Sequence, residues 1–178
     1  MEHRTDAAQG ASAFTLAVRE TMSRFPGCVA TVGNMVFEPG VFNVVPEVVT
    51  VSLEFRSDQD DKLDAIEAAL RQEALGAARR FGLDLEFLHL DRTAPARMHE
   101  GVQEAFAGAC ERLGLSHTLL ASGAGHDAQC LAPVCPTGMV FVPSVAGRSH
   151  SPREYTEWQD CVNGANVLLH AALALAQP

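Results

Sequence analysis

The segment from about Glu47 to Ser57, EVVTVSLEFRS, narrows the possible folds more than any other stretch of this chain. Val49, Val51, Leu53 and Phe55 fall on one side of an extended backbone; Thr50, Ser52, Glu54 and Arg56 fall on the other. A clean period of two demands a strand with one face on a core and one face toward solvent or ligand, and such a strand needs both a sheet and a covering layer. Arg56 is therefore expected on the polar face, where it can reach a ligand. The next stretch, DQDDKLDAIEAALRQEALGAARRFG, reads as a helix. Acids crowd its first turn, Arg79 and Arg80 its last, and Gly82 follows as the stop.

The same rules organise the rest. TDAAQGASAFTLAVRETMSRF carries apolar residues at Ala8, Ala11, Phe14, Leu16, Val18 and Met22. It predicts an amphipathic helix with Thr5 or Asp6 as N-cap, ended by Pro26-Gly27. CVATVGNMVFEPG predicts a strand ending at the Pro39-Gly40 turn, and LDLEFLHLDRTA alternates and predicts another. The order α-β-β-α-β over residues 5–93 is that of a ferredoxin-like βαββαβ unit without its opening strand, which in that topology is central. Beyond DRTAPARM, a helix is expected from Ala96 to about Leu113, then the apolar HTLLAS. A Gly-rich turn, SGAGHDA, leads into a short helix. GMVFVPS is expected as a buried strand, and TEWQDCVNGANVLLHAALALA as a closing helix. The fold class is α/β, divided into residues 1–93 and 94–178. Both parts read as pieces of larger domains.

Charge excludes some partners. The formal net charge is −9 with no Lys/Arg cluster, which disfavours nucleic acid and anionic membranes. No apolar run is long enough to span a bilayer, and the N-terminus has no apolar signal region, so the expected location is cytoplasmic. The five cysteines, at 28, 110, 130, 135 and 161, form no CxxC pair and are expected as buried thiols acting as small hydrophobes.

Three places could carry chemistry. In SGAGHDAQ, Gly123 and Gly125 permit close ligand approach and His126 sits at a helix start; a turn plus a cap explains the same residues, and no P-loop Lys-Ser/Thr follows. In GRSHSPREYT, Pro152 stiffens a loop around His150, with Glu154 and Tyr155 as hydrogen-bond partners. A single histidine cannot hold zinc, and neither HExxH nor a second histidine at helical spacing accompanies it. Asn43 and Arg56 could bind a carboxylate, or could be an ordinary turn residue and an exposed strand cation. A serine hydrolase built on Ser122, Ser149 or Ser151 lacks G-x-S-x-G, and Cys130 or Cys135 beside His126 would be a weak nucleophile.

Taken jointly, TVGNMVFEPGVFNVVPEVVTVSLEFR, SGAGHDA and MVFVPSVAGRSHSPREYT resemble, in order and over nearly the whole chain, the dinuclear zinc amidohydrolases. That group comprises N-carbamoyl-L-amino acid hydrolase, allantoate amidohydrolase and β-ureidopropionase, within the aminoacylase and carboxypeptidase-like metallopeptidases. The resemblance implies a lid, or dimerisation, domain over residues 1–93 and the C-terminal part of an aminopeptidase-like catalytic domain over 94–178. It implies that His150 is a metal ligand, that Asn43 and Arg56 grip a substrate carboxylate, and that His126 lies near the active site. It implies zinc, with manganese, cobalt or nickel as alternatives, and a small carboxylate substrate. The partner would be a second copy joined through the lid, or a companion chain supplying the other metal ligands and the catalytic Glu. The opening strand of the lid and those ligands precede, in that family, the point resembling Met1. No residue here is therefore assigned as catalytic, and the chain alone is expected to be inactive. The alternative is a non-catalytic dimerisation or carboxylate-binding module.

Overall fold

The computed structural model describes residues 4–177, and the chain divides into two compact units between Pro95 and Ala96. The first contains helix α1 (Ala7–Met22), strands β1 (Val29–Glu38) and β2 (Val48–Arg56), and helix α2 (Asp60–Phe81). Asp6 is the N-cap of α1. Its carboxylate accepts from the Ala8 N–H at 3.1 Å and pairs with Arg4, whose hydrogen bond holds the Asp6 carboxyl below its ordinary range. Gly82, at φ +65°, ends α2 in the left-handed conformation that a side chain would disfavour.

β1 and β2 form an antiparallel hairpin. Ala30 faces Phe55, Val32 faces Leu53, Met35 faces Val51 and Phe37 faces Val49. One extra residue, Gly33, interrupts the register between Val32 and Asn34. Strict alternation would turn Asn34 inward. The bulge shifts the phase so that Met35 follows Val32 on the covered face. That face packs on Val18, Ile66 and Leu70, the buried centre of the unit, with Phe14, Met22 and Phe25 around them. The inward stripe of α1 is thus Phe14, Val18 and Met22, one turn apart. Leu16, expected on that face, is 70% exposed.

Two expected strands do not form. Residues 83–93 run without secondary structure, and Asp84–Asp91 make no backbone–backbone hydrogen bond among the described residues. Side chains hold the segment instead. Leu83 lies against Gly10, Phe87 lies under the Arg71 guanidinium at 4.4 Å, and Arg92 bonds Asp60 at 2.8 Å and Asp64 at 2.6 Å. These anchors run from the C-terminal end of α2 back to its start, as an extended chain does. A strand needs a pairing edge as well as alternation, and β2 pairs only with β1 among the described residues.

The second unit contains α3 (Glu100–Arg112), α4 (Asp127–Leu131), a short 3₁₀ turn (Val145–Gly147) and α5 (Trp158–Leu175). α3 and α5 bury Ala109, Cys110, Val167 and Ala171 between them, with Phe106, Leu113 and Val140 at the margin. GMVFVPS is the second missing strand. It has no neighbour to pair with among the described residues and lies along the helix pair. The His99 N–H bonds the Thr137 carbonyl at 2.8 Å, Gly138 seats against Val102 and Phe106 of α3, and Val142 against Gly164 of α5. The cysteines also differ from expectation. Only Cys110 is buried and Cys28 is half-buried, whereas Cys130 on α4, Cys135 in the turn after it and Cys161 on α5 are exposed.

Candidate functional site

Arg56 ends β2 on its outer face, as the alternation requires. Its guanidinium is engaged by the carboxylate two residues earlier on that face: Nε donates to Glu54 at 2.8 Å and Nη2 at 3.0 Å. The forked geometry is the one Arg uses on any carboxylate. Arg56 holds the Glu54 carboxyl below its ordinary range, and Glu54 stands where an exogenous carboxylate would compete. The period-two pattern put Glu54 and Arg56 side by side, so this partner was readable from the sequence.

Asn43 lies in the exposed β1–β2 turn, on an open concavity of about 670 Å³ that Arg4, Asp6 and Phe42 also line. It is not beside Arg56. Val29 is opposite Arg56 and Glu38 opposite Val48, so Asn43 lies beyond the other end of the hairpin. The length of β2 separates the two, about 26 Å at roughly 3.3 Å per residue. One copy of the hairpin cannot bring both onto a single small carboxylate.

In the second unit His126 caps α4 through its backbone, and its ring has two partners. Nε2 lies 2.7 Å from Ser122 Oγ, and the ring meets Phe141 edge-on with centroids 5.5 Å apart. Ser122 Oγ also accepts from the Ala124 N–H at 3.2 Å. Phe141 belongs to the apolar segment that leads into the His150 loop, so the structure connects these two histidine regions through one stretch of chain. Ser122 lies four residues before His126, near enough in sequence to be considered beside it, and the geometry of the Gly-rich turn brings its hydroxyl onto the ring.

The His150 loop is closed at its base. The Val145 N–H bonds the Tyr155 carbonyl at 2.8 Å, and Ser144 Oγ donates to the Arg148 carbonyl. His150 itself has φ +53°, an uncommon conformation for a residue with a side chain, and Ala146 has φ +58°. The His150 N–H donates to Glu154 Oε2 at 2.7 Å, while the Glu154 and Arg153 N–H groups bond Ser151. The imidazole is exposed.

Among the described residues, no group of three or more His, Cys, Asp or Glu side chains is placed to hold a metal ion. His150 therefore offers one donor, and the residues present do not by themselves fit a metal centre.

A family model for peptidase family M20/M25/M40 matches residues 5–174. The chain belongs to that family. M20 membership also accounts for the α/β arrangement. An N-carbamoyl-L-amino acid amidohydrolase of Geobacillus stearothermophilus is 37% identical over 99% of this chain and 43% of its own length. A ureidoglycolate hydrolase of Oryza sativa is 32% identical over 99% of this chain and 37% of its own length. The crystal structure of an amidase of the hydantoinase/carbamoylase family from Burkholderia vietnamiensis is 40% identical. It superposes with a TM-score of 0.92 over 99% of this chain and 43% of that one. The fold extends, at 17% identity and a TM-score of 0.68, to a Bacillus subtilis M20 protein described as a dinuclear metal binding peptidase. The chain thus spans less than half the length of the M20 relatives it matches. No helix among the described residues is long and apolar enough to cross a membrane.

Proposed function

We propose that this chain is the C-terminal portion of a zinc-dependent amidohydrolase that cleaves non-peptide C–N bonds of N-carbamoyl or ureido amino acids, and that it is inactive alone. The observation that carries this reading is the His150 loop, which holds an exposed histidine in a constrained backbone conformation, fixed by Glu154. The relatives named for N-carbamoyl and ureido substrates support the class of bond. His150 would be one ligand of zinc, with manganese, cobalt or nickel as alternatives. Arg56 would take the carboxylate of a small substrate, with His126 as a further binding residue, and Asn43 would join the same substrate only from a second copy of the hairpin. The other donors and the general base would come from a companion chain, which would also offer a strand to the free edge of β2 and to residues 84–91. A homodimer through the outer edge of β1 is the other partner arrangement. The expected setting is cytoplasmic.

The test mixes this chain with a polypeptide carrying the N-terminal half of an M20 amidohydrolase plus zinc, and follows release of amino acid from an N-carbamoyl amino acid. Turnover in the mixture and none from either part is expected. No turnover from a mixture shown to form a complex would refute the split-enzyme reading.

A second reading is a non-catalytic carboxylate-binding or dimerisation module, in which an external carboxylate would have to displace Glu54 from the Arg56 fork. Calorimetry with small carboxylates, wild type against Arg56→Ala, decides it. A monomer that gives no binding heat would eliminate this alternative.

A further inference from the structure

The geometry points to Glu154 as a positioning residue that sets the backbone of His150, and through it the direction of the imidazole. This rests on the reading of His150 as a ligand, but its test does not. Non-glycine residues seldom adopt positive φ, because the Cβ then crowds the following carbonyl, and such a conformation persists only where the surroundings over-determine it. His150 sits at φ +53°. No contact of its exposed ring accounts for that value among the described residues. What does is the 2.7 Å bond from its own N–H to Glu154 Oε2.

Glu154 is in turn placed by the backbone. Its N–H bonds the Ser151 carbonyl at 3.0 Å, so the chain turns back on itself between the two partners. The neighbouring Arg153 N–H bonds Ser151 Oγ at 3.2 Å. The loop base is tied separately by Val145 and Tyr155. The carboxylate thus closes a small ring over residues 150–154 inside a larger closed loop. Removing it should release His150 and leave the base intact. A carboxylate is not required, only an acceptor oxygen at that point, so a glutamine should serve.

The experiment uses the full chain labelled with ¹⁵N, with no metal added. In the wild type, a strong intraresidue HN–Hα cross-relaxation peak should mark the left-handed backbone of His150, and its amide should exchange slowly for an exposed loop. Glu154→Ala should accelerate that amide on the order of tenfold and weaken the peak, while the Val145 amide stays within about twofold. Glu154→Gln should restore both signals toward wild type. Unchanged His150 signals in Glu154→Ala would overturn the proposal. So would equal acceleration at Val145, which would mean that the whole loop had melted, or a glutamine variant that behaves like the alanine one. Failure of His150 to serve as a ligand would appear only in the reconstitution assay and would leave these readings unmoved.

Discussion

Ile66→Ala probes the packing that holds the first unit together. Ile66 has no exposed surface, and it joins Val18 at 4% and Leu70 at 2% at the centre of the α1–α2–hairpin interface. Truncating a buried isoleucine to alanine costs about 2–5 kcal/mol, more where the cavity cannot collapse. Here the surrounding Phe14, Met22, Leu53 and Phe55 are only partly buried and can shift inward, which places the expected loss in the lower half, about 2–3.5 kcal/mol. With a urea dependence of about 1–3 kcal/mol per molar, the midpoint of far-UV circular dichroism should fall by roughly 0.7–3.5 M. Ile66→Val should cost about 1 kcal/mol. Leu16→Ala is the internal comparison. At 70% exposure it should stay within about 0.5 kcal/mol of wild type. A loss at Ile66 below about 1 kcal/mol would refute its place at the centre of this interface, and a loss at Leu16 equal to that at Ile66 would refute the inward face assigned to α1.

Gly138→Ala would place a methyl 2.5 Å from Val102 Cγ1 and 3.1 Å from Phe106 Cε2, and should destabilise the protein by about 1–3 kcal/mol in the same urea assay. Gly76→Ala, inside α2 and with nothing but the helix's own neighbouring chain within 4 Å of the new methyl, should instead stabilise by about 0.5–1 kcal/mol. Deleting Gly33 should be tolerated, with Val32 still opposite Leu53 and Asn34 opposite Ser52 by cross-strand proton contacts; deleting Val36 instead should reverse one arm of β1 and unfold the hairpin. Asp6 contributes a pH-dependent component. Its folded carboxyl titrates below the ordinary value of 3.8, so its stabilisation is complete above that pH and disappears as pH falls through the lowered folded value. Asp6→Ala should abolish this acid-side component and cost about 1 kcal/mol at neutral pH, whereas Asp6→Asn should keep most of the cap, as paired melts at neutral and acid pH would reveal.

Local rules were enough for much of this protein. The period-two run from Val48 to Arg56 fixed which side chains face the helices, and it set Glu54 beside Arg56 on the other face. The charge layout and Gly82 delimited α2, and the Pro-flanked loop singled out His150. Such features depend on residues a few positions apart, so they can be read before folding. Other features were settled by partners distant in the chain. Residues 83–93 and 138–144 have strand-like patterns, yet neither is a strand, because alternation orients side chains but only a neighbouring edge can take up backbone hydrogen bonds. The bulge at Gly33, the separation of Asn43 from Arg56 and the Ser122–His126 contact likewise depend on register and turn geometry. The left-handed backbone of His150 belongs with them. The sequence supplied a histidine and a glutamate four residues apart, and only the closed loop brings an amide of one onto the carboxylate of the other.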